Sequence, residues 1–125
     1  MASCDKAKHA QKFIAETTEV PLIFNDCAEL GSLFGFDVKS KKSAVVPCCD
    51  TIYAGWLCDD HSQYNNKWKN HRDSLEDPHS QGKSAKSFND LVAFIEASIA
   101  TFLILENVPA LVVQLAWRLS GLIAL

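Results

Sequence analysis

Two apolar runs constrain this chain more than any other feature, because each stops at a residue capable of chemistry. The first is Asp50-Thr-Ile-Tyr-Ala-Gly-Trp-Leu-Cys58, and the second ends in Leu105-Glu106-Asn107-Val108. A run that is apolar at successive positions does not alternate between a core and water. Each therefore reads as a strand covered on both faces, the kind that parallel sheets contain. Ligands collect at the carboxyl ends of such strands, which would bring Cys58 and Glu106 over one pocket, where a thiolate and a carboxyl share a substrate.

Upstream, residues 5 to 16 place Ala7, Ala10, Phe13 and Ile14 at helical spacing, with Lys6, Lys8, Gln11 and Lys12 facing away, which predicts a surface helix packed on a sheet. After Pro21, Leu22-Ile-Phe reads as a short strand ending at Asn25-Asp26, and Cys27 to Gly31 as irregular chain. Residues 32 to 49 are weakly patterned, and Lys39-Ser-Lys-Lys-Ser43 reads as a solvated loop. Residues 59 to 87 carry three of the four histidines and are rich in asparagine and serine, with little periodicity, and read as a long loop, a class that is usually a functional lid or disordered. Ser87 is placed to cap a helix from Phe88 to about Ser98, with Phe88, Leu91, Val92, Ile95 and Ile99 on one stripe, and Ala100 to Leu105 is the second buried strand. Strands alternating with helices give an α/β fold with a doubly wound parallel sheet, since each parallel pair needs a crossover.

The residues at the two strand ends resemble the DNA (cytosine-5) methyltransferase family. In that family an aspartate opens a strand, a Gly-x-Pro-Cys turn closes it, and a Glu-Asn-Val tripeptide ends the next. Asp50, Gly55 and Cys58 keep that spacing, Ser62 falls four residues after the cysteine where the family usually carries a serine, and Cys58 and Glu106 are 48 positions apart, about the family's separation. Ser3-Cys4-Asp5 and Leu22-Ile-Phe-Asn-Asp26 resemble two further strand ends, so the likeness covers roughly residues 3 to 109. It implies a partial Rossmann-like catalytic domain over residues 1–109, and its cofactor would be S-adenosylmethionine. Cys58 would then be the nucleophile toward carbon 6 of cytosine, and Glu106 the residue that holds the base. Asn107 and Val108 would hold the glutamate's backbone, Ser62 would support the site, Asp5 would accept from the ribose hydroxyls and Asp26 from the adenine amine. The sequence departs from the family at Leu57 and Asp59, where proline and glutamine are usual, and it carries no glycine-rich motif ahead of Asp5.

Size and charge bound these implications. With 125 residues, 48% of them apolar, the chain forms one domain at most and not a two-lobed enzyme. A net charge of −3 offers no positive excess for gripping phosphates, so affinity for DNA, the expected partner, is weak in this piece alone, which is expected to be inactive by itself. The resemblance leaves RNA open as a substrate. It also leaves open a truncated, non-catalytic relative that acts as a binding module.

Five cysteines, an odd number without the density of a disulfide scaffold, are expected to be free thiols in a reducing, intracellular compartment, nuclear if the host is eukaryotic. No secretory signal is expected, because the start lacks an apolar stretch behind basic residues. No metal is expected either: Cys48, Cys49, Cys58 and His61 are spaced poorly for one tetrahedral zinc. The apolar tail, residues 110–125, places Leu111, Val112, Leu115, Leu119 and Leu122 at helical spacing and is expected to drive self-association. A membrane span there would be short and would hold Gln114 and Arg118, which argues against one.

Overall fold

A computed structural model describes residues 1–58 and 82–107. The chain divides into two compact units, residues 1–52 with 90–103 and residues 53–89 with 104–125. The described residues form an α/β structure with a mixed four-stranded sheet and a separate two-stranded parallel sheet.

The four-stranded sheet belongs to the first unit. Strand β1 (Ala2–Cys4) is followed by helix α1 (Lys8–Thr17) and by β2 (Leu22–Phe24), which lies parallel to β1 with Cys4 opposite Phe24. This is the crossover that the apolar runs and the intervening helical pattern predict. The face of α1 differs from the expectation, however. Gln11 is buried and Phe13 is 65% exposed. The Gln11 amide earns its place in the interior by donating to the Asp5 carbonyl at 2.6 Å and to Asn25 Oδ1 at 3.1 Å, so the inner stripe reads Ala7, Ala10, Gln11 and Ile14.

Residues 27–49 also depart from the expected loop. Cys27–Leu30 form a single helical turn, α2, capped by Asp26, which accepts from the Ala28 amide at 3.2 Å. Strands β3 (Phe34–Asp37) and β4 (Lys42–Val45) then make an antiparallel hairpin, with β3 also pairing antiparallel to β2. The lysine-rich stretch is the hairpin turn, where Lys41 takes a positive φ of 55°. Its organiser is Asp37, 1% exposed, whose carboxylate accepts from the backbone amides of Ile23, Lys39 and Ser40 at 3.0, 3.2 and 2.8 Å. Burial works against that charge, but the hydrogen bonds from Ser40, Ile23 and Lys39 outweigh it and hold the carboxyl at about 2. Gly35 in β3 is required by close approach: a Cβ there would lie 2.7 Å from Phe24 Cδ1. Phe24, Leu30 and Val46 form the core of this unit, with Ala2, Cys4, Leu22, Cys27, Ala44 and Phe94 packed against them.

Strands β5 (Thr51–Gly55) and β6 (Phe102–Glu106) form the two-stranded parallel sheet, and the intervening chain includes helix α3 (Lys83–Ala97). The helix starts earlier than Ser87, so Ser87 lies inside it rather than capping it. Its inner face is Ser84, Ala85, Phe88 and Leu91, while Ile99 lies beyond its end and is 82% exposed. The long-loop expectation is therefore corrected at residues 83–87, and residues 59–81 lie outside the described residues. The expected burial of the second strand is also corrected: Phe102, Leu103 and Ile104 are exposed at 64, 39 and 53%.

Candidate functional site

The ends of β5 and β6 are locked together inside the second unit. Gly55 closes β5 directly beside the last residue of β6, so that a Cβ at position 55 would stand 3.1 Å from Glu106 Oε2 and 3.4 Å from the Glu106 carbonyl oxygen. A side chain at position 55 would crowd the Glu106 carboxylate by a few tenths of an ångström, which glycine avoids. One residue further on, the Asn107 side-chain amide donates to the Trp56 carbonyl at 2.9 Å. Asparagine at this position thus ties the two strand ends to each other.

The other polar atom of the same peptide is held as well. The Leu57 amide donates to Ser87 Oγ at 3.2 Å, and the Ser87 hydroxyl donates in turn to the Ser84 carbonyl at 3.0 Å. Trp56 itself turns inward, its ring centroid 5.0 Å from that of Phe88 and the planes inclined by 46°. Its Nε1 is buried and has no hydrogen-bond partner among the described residues. Cys58 follows this anchored peptide as a partly exposed free cysteine, and Glu106 is exposed. The carboxylate therefore stays solvated in spite of the apolar run before it.

In the first unit, the ends of β1 and β2 carry the second pair of candidate residues. Asp5 Oδ1 accepts from the Ala7 amide at 2.7 Å and so turns the chain into α1, while the Asp5 amide donates to the Phe24 carbonyl at 3.2 Å. Asp26 Oδ2 pairs with Lys6 Nζ at 2.7 Å, and this partner raises the pKa of the lysine. Gln11 links the two strand ends by reaching both the Asp5 carbonyl and Asn25. Two thiols border this region. Burial first, then the charges of Cys27, Asp26, Asp5 and Glu29, push Cys4 up to about 12, and burial followed by Asp90 and Asp26 pushes Cys27 up to about 11. Both are protonated at neutral pH and are structural rather than nucleophilic.

Ser62, His61 and Val108 lie outside the described residues, as does the apolar tail. Among the described residues no cluster of three or more histidine, cysteine, aspartate or glutamate side chains is placed to hold a metal ion, and no helix is long and apolar enough to cross a membrane. Sequence reasoning missed Ser87 and Gln11. A serine at the edge of a polar stretch reads as a cap, and a glutamine on a helix reads as solvated; only the partner positions, far away in sequence, reveal their roles.

No protein-family model matches the chain. It is similar to DNA (cytosine-5-)-methyltransferase DMT5 of Cryptococcus neoformans var. grubii, with 26% identity over 106 residues, which is 85% of this chain. The chain spans about 4% of that protein's length.

Proposed function

We propose that this chain is a piece of a doubly wound, Rossmann-like methyltransferase domain that transfers a methyl group to carbon 5 of cytosine in DNA. The observation that carries the reading is the pair of parallel strands whose ends bring Gly55 against Glu106 and Asn107 against Trp56, next to Cys58 in sequence. The distant likeness to a DNA (cytosine-5-)-methyltransferase supports it.

Carbon 5 of cytosine is a weak nucleophile. Addition of the Cys58 thiolate to carbon 6 moves the electrons of the carbon 5–carbon 6 double bond onto carbon 5. Glu106 accepts from the exocyclic amine and shares a proton with the ring nitrogen, which steadies the base as charge builds. S-adenosylmethionine, when bound, would supply the methyl group, its sulfonium leaving as a neutral thioether as carbon 5 takes the methyl carbon. With the methyl in place, loss of the carbon 5 proton to a base re-forms the carbon 5–carbon 6 double bond and expels the Cys58 thiolate.

The acidic strand ends of the first unit fit that cofactor. Asp5 has one carboxylate oxygen committed to Ala7 and the other available to ribose hydroxyls, while Asp26, whose oxygens accept from the Ala28 amide and from Lys6, would take an adenine amine as a further donor. A non-catalytic binding module is the second reading, favoured by the exposure of Phe102, Leu103 and Ile104.

A graft separates the two. This chain's matched stretch replaces the corresponding one in the fungal relative, and the product is incubated with S-adenosylmethionine and a duplex carrying 5-fluorocytosine, whose carbon 5 fluorine blocks release of the enzyme. The proposal expects a denaturant-stable adduct on Cys58 that Cys58→Ser abolishes and Glu106→Gln slows. A folded graft without an adduct, or an adduct that survives Cys58→Ser, would overturn it.

A further inference from the structure

The Trp56 carbonyl and the Leu57 amide belong to one planar peptide unit, and both of its polar atoms are held, the carbonyl by Asn107 and the amide by Ser87. Two hydrogen bonds on opposite edges of a rigid plane fix its orientation, and with it the direction in which the chain leaves toward Cys58. We infer that Ser87 is a positioning residue for Cys58, supplying through a hydrogen bond the rigidity that a proline at position 57 would supply through its ring. This rests on the reading of Cys58 as the nucleophile.

Leucine at 57 has a free φ and an N–H that needs an acceptor, whereas proline has neither. The acceptor stands ready. Ser87 commits its own proton to the Ser84 carbonyl one turn back, which leaves its oxygen lone pairs for Leu57. Ser84 is fully buried and the adjacent Ala85 and Phe88 are buried too, so the hydroxyl sits on a fixed stretch of α3. Phe88 also packs on the Trp56 ring, so that helix holds the same residue pair by side chain and by backbone.

The test uses the full chain and needs neither DNA nor cofactor. Ser87→Ala should speed hydrogen exchange of the Leu57 amide about fivefold, the effect of losing one ordinary hydrogen bond, and Ser87→Thr should leave it unchanged. Peptide-resolved alkylation by iodoacetamide should show Cys58 reacting about threefold faster in Ser87→Ala, as one fixed bond is released, with the exposed Cys48 as internal reference. In a Leu57→Pro background the alanine substitution should change nothing, because the N–H that Ser87 serves is gone. Circular dichroism on each variant confirms the fold. Unchanged exchange at Leu57 in Ser87→Ala, or an equal effect on Cys58 with leucine and with proline, would overturn the inference. Failure of the 5-fluorocytosine graft with these results intact would remove the enzymatic reading and leave the clamp as a structural device.

Discussion

Replacing Asp37 with asparagine should remove most of an acid-sensitive contribution of about 2–3 kcal/mol to the stability of the first unit. The carboxyl is 1% exposed and is held at about 2 against an ordinary 3.8, and a difference of a little under two pKa units, at about 1.4 kcal/mol each, amounts to between about 2 and 3 kcal/mol. An independent count agrees in size. Asparagine keeps Oδ1 for Ile23 and Lys39 but turns an amide donor toward the Ser40 N–H that Oδ2 now accepts, which costs about 1–3 kcal/mol.

The direction with pH follows from the lowered folded-state value: the contribution is complete above the unfolded pKa near 3.8 and is lost as pH falls through 2. Urea unfolding of both proteins at pH 7 and at steps from pH 5 to pH 2 reads this directly. The gap between them should be widest near neutrality and should narrow progressively between pH 4 and pH 2, as the unfolded-state carboxyl takes up its proton while the native one stays ionised. A gap under about 0.5 kcal/mol at pH 7, within the scatter of ordinary surface substitutions, or one that does not change with pH, would refute the account of Asp37 as the pin between the hairpin turn and β2.

Gly35→Ala should destabilise by about 1–3 kcal/mol, since its Cβ would meet Phe24 at 2.7 Å in the middle of the core; thermal unfolding checks it. Cys4 and Cys27, held up at about 12 and 11, should be alkylated at least about tenfold more slowly than Cys48 at pH 8, because only the thiolate reacts; peptide-resolved mass spectrometry reads all three at once.

The strand ends were legible in the sequence because a chain that is apolar at consecutive positions has few other uses. Leu22–Phe24, Thr51–Gly55 and Phe102–Glu106 all appear where such runs stop, whereas Ala2–Cys4, interrupted by Ser3, was marked only by the family resemblance. The hairpin was not legible, and its burial pattern says why. In β3 the inward positions are Gly35 and Asp37, while Phe34 and Phe36 point outward, 54 and 43% exposed, so the alternation runs opposite to the usual apolar-in rule. Gly35 is inside because Phe24 leaves it no room, and Asp37 because three amides neutralise its cost. Neither fact has a local signal. Gln11 is the same case on a helix, a polar side chain drawn inward by the Asp5 carbonyl and by Asn25. In the candidate site, Cys58 and Glu106 were singled out as strand ends and Asn107 by the family resemblance, whereas the contact of Ser87 had no local signal, because its partner Leu57 is 30 residues away.

The exposure of β6 bears on what this chain needs around it. Leucine and isoleucine at consecutive positions of a parallel strand are suited to cover on both faces, and a two-stranded sheet cannot provide that cover. Phe102 at 64% and Ile104 at 53% lie on one face of the strand, and Leu103, on the opposite face, is 39% exposed, so neither side is closed. Tyr53 in β5, 72% exposed, shows the same shortfall. The hydrogen bonds at the strand ends need no such cover: Asn107 on Trp56, Ser87 on Leu57 and the close fit of Gly55 on Glu106 are all made within the second unit. The chain thus carries its strand-end contacts at the end of a two-stranded sheet on which Ile52 is buried while Tyr53, Phe102, Leu103 and Ile104 stay exposed, so that the geometry of this corner is set by its own backbone and side-chain hydrogen bonds and not by burial of β6.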